Sequence, residues 1–150
     1  MQSEASTYVA ITQLHAAYAD VVARMAWSEL GDLMVADARF TFDLGEGPAI
    51  ELVGPEAVGQ FGSRATDSFT FYSYQPLNTV LTQVGLGEAT GRFYALEVAL
   101  IRGSDAWLEI YGAYDDEYVE RDGSWRFARR DFRTLARRLD GRTAVPGTAG

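Results

Sequence analysis

Residues 112–132, GAYDDEYVERDGSWRFARRDF, decide how the second half of this chain folds. The stretch begins with strand-forming tyrosines, turns at Arg121-Asp122-Gly123, and continues from Ser124 into a second aromatic run. Two such runs joined by a short turn that contains Asp and Gly predict an antiparallel hairpin. We therefore expect strands over 106–120 and 124–134.

The preceding residues extend this hairpin into a meander. Strands are predicted over 77–84 and 88–102, because Gly85-Leu86-Gly87 and Gly103-Ser104-Asp105 are short turns like the one after residue 120. The pattern predicts four consecutive antiparallel strands. Strands of this length must twist and curve.

The first half has the periodicity of helices. Apolar residues between Val9 and Met25 recur at helical spacing, and Ser3 or Ser6 can cap the helix. A short second helix is predicted over 27–34, with Ser28 as its N-cap.

A hairpin and a third helix follow. Strand alternation over 38–43, the turn over 45–48 and a return strand over 49–52 predict the hairpin, and Pro55 opens a helix that runs to about residue 65. Three helices on one face of a curved sheet predict an α+β domain over 1–139 that encloses a cavity. The tail, 140–150, has little apolar surface, and we expect it to be disordered.

Composition removes several kinds of chemistry. The 150 residues suit one domain, and they include 13 arginines, no lysine, no cysteine and one histidine, His15. A Schiff-base lysine, a thiolate nucleophile and a multi-histidine metal site are therefore excluded. The net charge of −8 argues against nucleic acid and anionic membranes as partners. No signal peptide or 20-residue apolar run is present, which predicts a cytoplasmic protein.

Three stretches, 18–40, 54–61 and 112–132, resemble the SnoaL-like branch of the nuclear transport factor 2-like superfamily. The resemblance implies a cone-shaped barrel in which a mainly antiparallel sheet and three N-terminal helices enclose a pocket. The superfamily includes scytalone dehydratase, ketosteroid isomerase, limonene epoxide hydrolase and polyketide cyclases. It implies an apolar small-molecule substrate, no cofactor and a homodimer. Because this fold hosts many activities, the resemblance predicts the fold more firmly than the function.

The resemblance also implies where a catalytic dyad belongs. Members with dehydratase activity carry an Asp at the end of the first helix, which matches Ala23, and a His on the sheet, which matches Tyr74 or Gln75. A second His of scytalone dehydratase matches Tyr94. The usual Asp–His dyad is therefore predicted to be absent.

Asp131 is the first candidate for catalysis. Strand alternation from Trp125 and Phe127 predicts that Arg129 and Asp131 also point inward. A carboxylate beside an arginine can act as a positioned acid or base. Limonene epoxide hydrolase has a catalytic Asp in a similar Arg-Asp-aromatic setting. The alternative is an ion pair near solvent at the strand end.

Tyrosines are the next candidates. A phenol in an apolar cavity can donate a hydrogen bond to a substrate oxygen as charge develops there, although aromatic residues also simply fill cores. We predict Tyr114 and Tyr94 as catalytic residues and Tyr74 as a substrate-binding residue. The other residues predicted to bind substrate are Tyr18, Trp27, Phe42, Phe61 and Arg129.

Five further groups are weaker candidates. Asp20 could replace the missing helix carboxylate, and Asp43 follows the position at which ketosteroid isomerase carries its base. The role of Glu97 is left open, because a carboxylate buried there would have a raised pKa and would suit acid catalysis. Glu109 is assigned to an interface or solvent, and His15 to the surface or to helix packing rather than catalysis.

Two functions remain from the sequence. The first is a cofactor-free cyclase, isomerase, dehydratase or epoxide-opening enzyme acting on an apolar polyketide- or terpenoid-like substrate. The second is a binding or dimerisation module that has lost the dyad. Inward-pointing polar groups favour the first, and the missing dyad favours the second.

Overall fold

Helices come first and long strands second in this chain. The computed structural model describes residues 3–147. The elements in chain order are α1 (Glu4–Arg24), a 3₁₀ helix (Trp27–Asp32), β1 (Met34–Asp43), β2 (Ile50–Val53), α2 (Gly54–Thr66), β3 (Phe69–Val84), β4 (Glu88–Ile101), β5 (Trp107–Arg121), β6 (Ser124–Leu139) and β7 (Arg142–Ala144).

All the strands form one sheet. Its order is β2-β1-β6-β5-β4-β3, and β7 pairs with β6 outside this path. Among the strands of residues 3–147, only β1 and β6 pair in parallel. The predicted α+β cone with a strongly curved, mainly antiparallel sheet is confirmed.

Bulges bend the sheet so that its concave face can enclose the core. The β3–β4 register shifts at three places, one of them between Pro76 and Asn78, and the β5–β6 register shifts at two. Each bulge adds a residue to one strand and increases its local twist. Pro76 lies in the edge strand, where a missing N–H group is tolerated.

Local signals place the two α-helices as expected. The Ser3 side chain accepts a hydrogen bond from the Ser6 backbone N–H, so Ser3 is the N-cap of α1. Pro55 occupies the first turn of α2. The buried face of α1 includes Ile11 and Tyr18, which pack over the sheet. None of the helices in the described part of the chain is long and apolar enough to span a membrane.

Several predicted boundaries are wrong. The second helix is a 3₁₀ helix without a side-chain cap, so Ser28 does not cap it. β3 begins at Phe69, eight residues before the predicted start, and β6 continues to Leu139. The predicted tail contains β7, which pairs with β6 and gives this segment backbone hydrogen bonds that its composition does not reveal. Residues 148–150 of that tail lie outside the described residues.

Candidate active site

A cavity of about 240 Å³ lies between the helices and the concave face of the sheet. Its wall is mostly aromatic and aliphatic. Six residues predicted to bind or act on substrate line it: Tyr18, Trp27, Phe42, Phe61, Tyr74 and Tyr114. Their roles toward a substrate stay predictions, but their positions are suited to such roles.

Glycines keep the cavity wall in its present form. A Cβ atom at Gly112 would overlap the ring of Phe132, which pairs with Tyr114 on the neighbouring strand. A Cβ atom at Gly62 would lie 2.7 Å from the ring of Trp27. Both glycines therefore let a large ring lie flat against the backbone beside the cavity.

One carboxyl group lines the cavity. Glu97 lies on the inward face of β4 with Phe93, Ala95 and Ala99, and the Tyr72 hydroxyl donates a hydrogen bond to its Oε1 atom. Burial raises the pKa of Glu97, although the bond from Tyr72 opposes this shift. A carboxyl group of this kind can hold a proton at neutral pH and release it to a substrate.

Three more phenols, those of Tyr18, Tyr74 and Tyr114, line the same cavity. Burial raises the pKa of each, so all three are neutral hydrogen-bond donors near neutral pH. Tyr74 is only 6% exposed, and a contact with the Tyr114 side chain partly offsets the rise in the pKa of its hydroxyl, which has no hydrogen bond of regular geometry to the described residues.

A charged pair lies behind the phenols. Arg130 and Asp116 are 0% and 2% exposed. Arg130 Nε donates to Asp116 Oδ1 at 2.8 Å and Nη2 donates to Oδ2 at 3.2 Å. The guanidinium carbon lies 3.8 Å from the centroid of the Tyr114 ring and 5.0 Å from that of Tyr18. Burial opposes the charge on Arg130, yet Asp116 holds its pKa well above the ordinary value.

The lone histidine completes this buried network. Tyr118 donates to Asp116 Oδ2 at 3.0 Å, and His15 Nε2 lies 2.8 Å from the Tyr118 hydroxyl oxygen. Because a phenol has one proton, His15 Nε2 must donate and Nδ1 must be unprotonated. The ring stacks on Phe93 with centroids 3.9 Å apart, and burial lowers the pKa of His15 to about 2. His15 is therefore a neutral part of the core, which is the helix-packing alternative of the sequence analysis.

The prediction that Asp131 and Arg129 point inward is wrong. Tyr118 pairs with Phe127 while Glu117 pairs with Arg129, so one residue of β6, Ala128, is extra. This bulge reverses the alternation after Phe127 and turns Asp131 to the outer face. There Arg129 Nε donates to Asp131 at 2.8 Å, and both side chains are more than one-third exposed. Neither residue lines the cavity.

Tyr94 is also outside the cavity. Phe93, the residue before it, is buried on the concave face, so Tyr94 points to the outer face together with Arg92. The charged Arg92, two residues before Tyr94, was the available signal for this orientation. Arg92 pairs with Asp115 at 3.2 Å on that face.

The weaker carboxylate candidates lie elsewhere. Asp20 is exposed and pairs with Arg24 at 2.9 Å. Asp43 accepts a hydrogen bond from the Gly45 backbone N–H and so stabilises the turn. Glu109 lies 3.4 Å from Arg138. None of these three lines the cavity.

The residues that the resemblance matches to the dyad lie in different environments. Ala23 is exposed at the end of α1, and of the two alternatives for the sheet histidine, Tyr74 lines the cavity while Gln75 is exposed. Within residues 3–147, no three His, Asp or Glu side chains come together as a metal site.

Sequence reasoning missed two parts of the site. Tyr72 was overlooked because β3 was predicted to start after it. Asp116 and Arg130 were overlooked because simple alternation placed Arg129 inward. Glu97 was recognised but not placed, although its alternation with Phe93 was visible.

Comparisons with known proteins agree on the fold. Residues 3–131 match the family model of the SnoaL-like domain, which confirms the resemblance. No protein with a curated function is detectably similar in sequence.

Several solved structures have the same fold as this chain. A protein proposed to be a scytalone dehydratase from Novosphingobium aromaticivorans is 24% identical, with a TM-score of 0.77 over 94% of this chain and 93% of that one. The hexachlorocyclohexane dehydrochlorinase LinA-type3 from Novosphingobium barchaimii is 21% identical, with a TM-score of 0.76 over 89% and 90%. The Kfla4162 protein from Kribbella flavida is 17% identical, with a TM-score of 0.74 over 90% and 95%. At these identities the structures establish the fold alone.

Proposed function

The chain belongs to the SnoaL-like domain family, and we propose that it is a cofactor-free enzyme that moves a proton within a small, largely apolar substrate. The classes that fit are dehydratase, isomerase, cyclase and epoxide-opening enzyme, with a polyketide- or terpenoid-like substrate. The observation that supports this most is the Glu97 carboxyl group on the cavity wall, hydrogen-bonded by Tyr72.

Glu97 supplies the proton in this proposal. Its raised pKa favours the acid form, in which it can give its proton to a substrate oxygen whose bond to carbon breaks or whose charge increases. The proton released from a substrate carbon returns to Glu97, directly or through water. The enzyme is then unchanged, and the substrate has been isomerised or has lost water.

The rest of the wall assists by excluding water and by donating hydrogen bonds. The aromatic lining replaces solvent around the reacting atoms, which strengthens electrostatic interactions there. The neutral phenols of Tyr74 and Tyr114 are donors that can stabilise negative charge on oxygen. A fitted cavity also holds a flexible substrate in one conformation, which favours ring closure.

The test begins with native mass spectrometry of the protein mixed with an extract of its source organism. The bound compound is identified, and its conversion is then followed with wild type, Glu97→Gln and Asp131→Asn. We expect Glu97→Gln to bind the compound and to convert it at least about 100-fold more slowly. Asp131→Asn is the matched control, because it removes a carboxylate from the outer face, and it should convert the compound at the wild-type rate.

Three results contradict the proposal. Equal conversion by wild type and Glu97→Gln removes Glu97 from the chemistry. Binding without any change in mass or isomer, by wild type as well, indicates a binding protein. If only Asp131→Asn loses conversion, the catalytic carboxylate is Asp131, as predicted from the sequence.

A binding module is the second candidate, and the dyad positions favour it. Ala23 is exposed and cannot act as an acid, and Tyr74 is a weaker base than histidine near neutral pH. In this case the same cavity holds an apolar ligand without changing it.

The homodimer and the cytoplasmic location stay predictions. Phe71, Trp107 and Tyr111 are exposed aromatic residues on β3 and β5, with exposures of 50%, 49% and 38%. Size-exclusion chromatography with light scattering measures the oligomeric state directly.

A further inference from the structure

The Trp27 side chain separates the cavity from the protein surface on one side. It lines the cavity, and it also lines an open groove between the 3₁₀ helix and α2. No other residue among 3–147 lines both. The groove carries polar side chains, among them Ser28, Gln60 and Ser63. The half-buried Trp27 ring is therefore a partition between a polar surface groove and the largely apolar cavity.

Two glycines of α2 give this ring a flat seat. A Cβ atom at Gly62 would lie 2.7 Å from two carbon atoms of the Trp27 ring, and one at Gly59 would lie 3.3 Å from the Trp27 Cβ atom. Because Gly59 and Gly62 are three positions apart, they lie on one face of the helix. Glycine destabilises a helix interior relative to alanine, so the pair needs a reason beyond helix formation. A seat without side chains lets the ring leave and return without displacing a neighbour on α2.

The backbone changes direction just before Trp27. Met25 has a φ angle of 55°, in the left-handed region that is unfavourable for a residue other than glycine, and it is 45% exposed. Trp27 then begins a six-residue 3₁₀ helix without a side-chain cap. Such helices have poorer hydrogen-bond geometry than α-helices. The segment that carries the ring therefore starts at a strained, exposed joint.

The two ends of the 3₁₀ helix are held unequally. At its far end, Leu30 is fully buried, and the Phe127 backbone N–H donates to the Leu33 carbonyl oxygen at 2.9 Å. Nearer to Trp27, Arg24 pairs with Glu29 at 2.7 Å, and both side chains are about half exposed. Ion pairs of this exposure add little stability. The Trp27 end is therefore the end that can move.

We propose that Trp27 is a side gate of the cavity. When its ring swings off Gly59 and Gly62, a passage opens from the groove, and small apolar molecules enter and leave through it. The gate goes beyond the proposed function, because it concerns access and serves an enzyme and a binding protein equally. It is measured without turnover, so the outcome with Glu97→Gln does not decide it.

The first experiment observes the ring. The chain has three tryptophans, so protein that contains 5-fluorotryptophan gives three fluorine NMR signals, and Trp27→Phe identifies the one from residue 27. Relaxation dispersion should show this signal exchanging between a major and a minor state on the microsecond to millisecond timescale.

Gly62→Ala should favour the minor, open state, because the new methyl group occupies the seat of the ring. We expect its population to rise at least about fivefold, as overpacking of this kind implies. Gly31→Ala is the matched control. Gly31 lines the same groove, but a Cβ atom added there meets nothing within 4 Å, so the Trp27 signal should match that of wild type.

The second experiment blocks the groove without touching the ring. The chain has no cysteine, so a polyethylene-glycol maleimide attaches only to an introduced one. Gln60→Cys places the label in the groove. Gln13→Cys is the matched control, since Gln13 is an exposed glutamine on α1 that lines neither the groove nor the cavity.

Fluorobenzene is the probe, because a cavity of about 150 Å³ binds benzene and this one has about 240 Å³. Fluorine NMR exchange measures its entry and exit rate constants. The label at residue 60 should slow both at least about tenfold, a barrier change of about 1.4 kcal/mol. The affinity should stay within about twofold, since a blocked passage changes rates and not the end states. The label at residue 13 should change none of the three.

Four results overturn the inference. The Trp27 signal shows one state that Gly62→Ala leaves unchanged. The label at residue 60 leaves entry and exit at their unlabelled rates, so molecules use another opening. The label changes the affinity and the exit rate but not entry, which makes this region a wall of the site rather than a passage. Wild type takes up no fluorobenzene, so the cavity admits no molecule of that size.

Discussion

His15 gives this protein a defined dependence of stability on pH. Its folded-state pKa is about 2, against 6.5 for an exposed histidine. Burial is the main cause, and the positive charge of Arg130 is the second. Asp116 Oδ2 lies 3.6 Å from Nε2 and would favour a charged ring, but Arg130 already pairs with that carboxylate.

The sign follows from which state binds more protons. Below pH 6.5 the unfolded chain protonates His15 while the folded protein does not, so the free energy of unfolding falls as the pH falls. The contribution is complete above the unfolded pKa and decreases by about 1.4 kcal/mol per pH unit below it. From pH 7 to pH 5, this single residue should remove about 2 kcal/mol.

Two measurements check this prediction. Because the chain has one histidine, the imidazole NMR signals report His15 without ambiguity. They should show a neutral ring with the proton on Nε2 and no titration between pH 8 and pH 5.

Chemical unfolding measures the change in the free energy of unfolding. The stability difference between wild type and His15→Gln should shrink by about 2 kcal/mol between pH 7 and pH 5. The glutamine amide can still donate to Tyr118 but does not titrate. A ring that titrates near pH 6.5, or a stability difference that is constant with pH, would refute the argument.

Three further predictions concern the cavity and the charges behind it. Gly112→Ala should destabilise the protein by about 1–3 kcal/mol in urea unfolding, since the new methyl group displaces a ring, whereas Gly31→Ala, with open space around it, should not. Glu97→Gln should gain stability relative to wild type as the pH rises above the ordinary glutamate pKa, because the unfolded wild-type chain then releases a proton that the folded protein still holds; pH-dependent thermal unfolding would show parallel curves if this is wrong. Asp116→Asn should lose about 3–5 kcal/mol, because it leaves Arg130 buried without its counter-charge, and a loss below 1 kcal/mol in urea unfolding would contradict this.

The fold followed from local patterns because turns and helix caps depend on neighbouring residues. Arg121-Asp122-Gly123 and the glycine turns before it predicted the meander, and the structure has β4, β5 and β6 there. Pro55 and Ser3 marked helix starts for the same reason.

The site was harder to predict because it depends on register. Ala128 shifts the phase of β6 by one residue, which replaces Asp131 by Arg130 on the concave face. Nothing in Trp125-Arg126-Phe127-Ala128 distinguishes a bulge from a regular strand. The partner of Arg130 lies on β5 and becomes visible only when both strands are aligned.

The start of β3 was missed for a related reason. Phe69, Tyr72 and Tyr74 have strand-forming side chains, but no turn signal separates them from α2. The helix ends at Thr66, and the strand begins three residues later. This short connection placed Tyr72 on the cavity wall, where it reaches Glu97.

Tyr74→Phe tests whether the cavity wall is arranged for a ligand rather than for stability. The wild-type hydroxyl is buried with no hydrogen bond of regular geometry to residues 3–147, so the protein carries its desolvation penalty in the ligand-free state. Removing it should raise the free energy of unfolding by about 1 kcal/mol, because the ring packing is kept and the unsatisfied donor is gone. Urea unfolding measures this change, and Tyr94→Phe on the outer face should show none. If Tyr74→Phe instead destabilises the protein, the hydroxyl has a structural partner in solution, for which the Tyr114 side chain is the candidate.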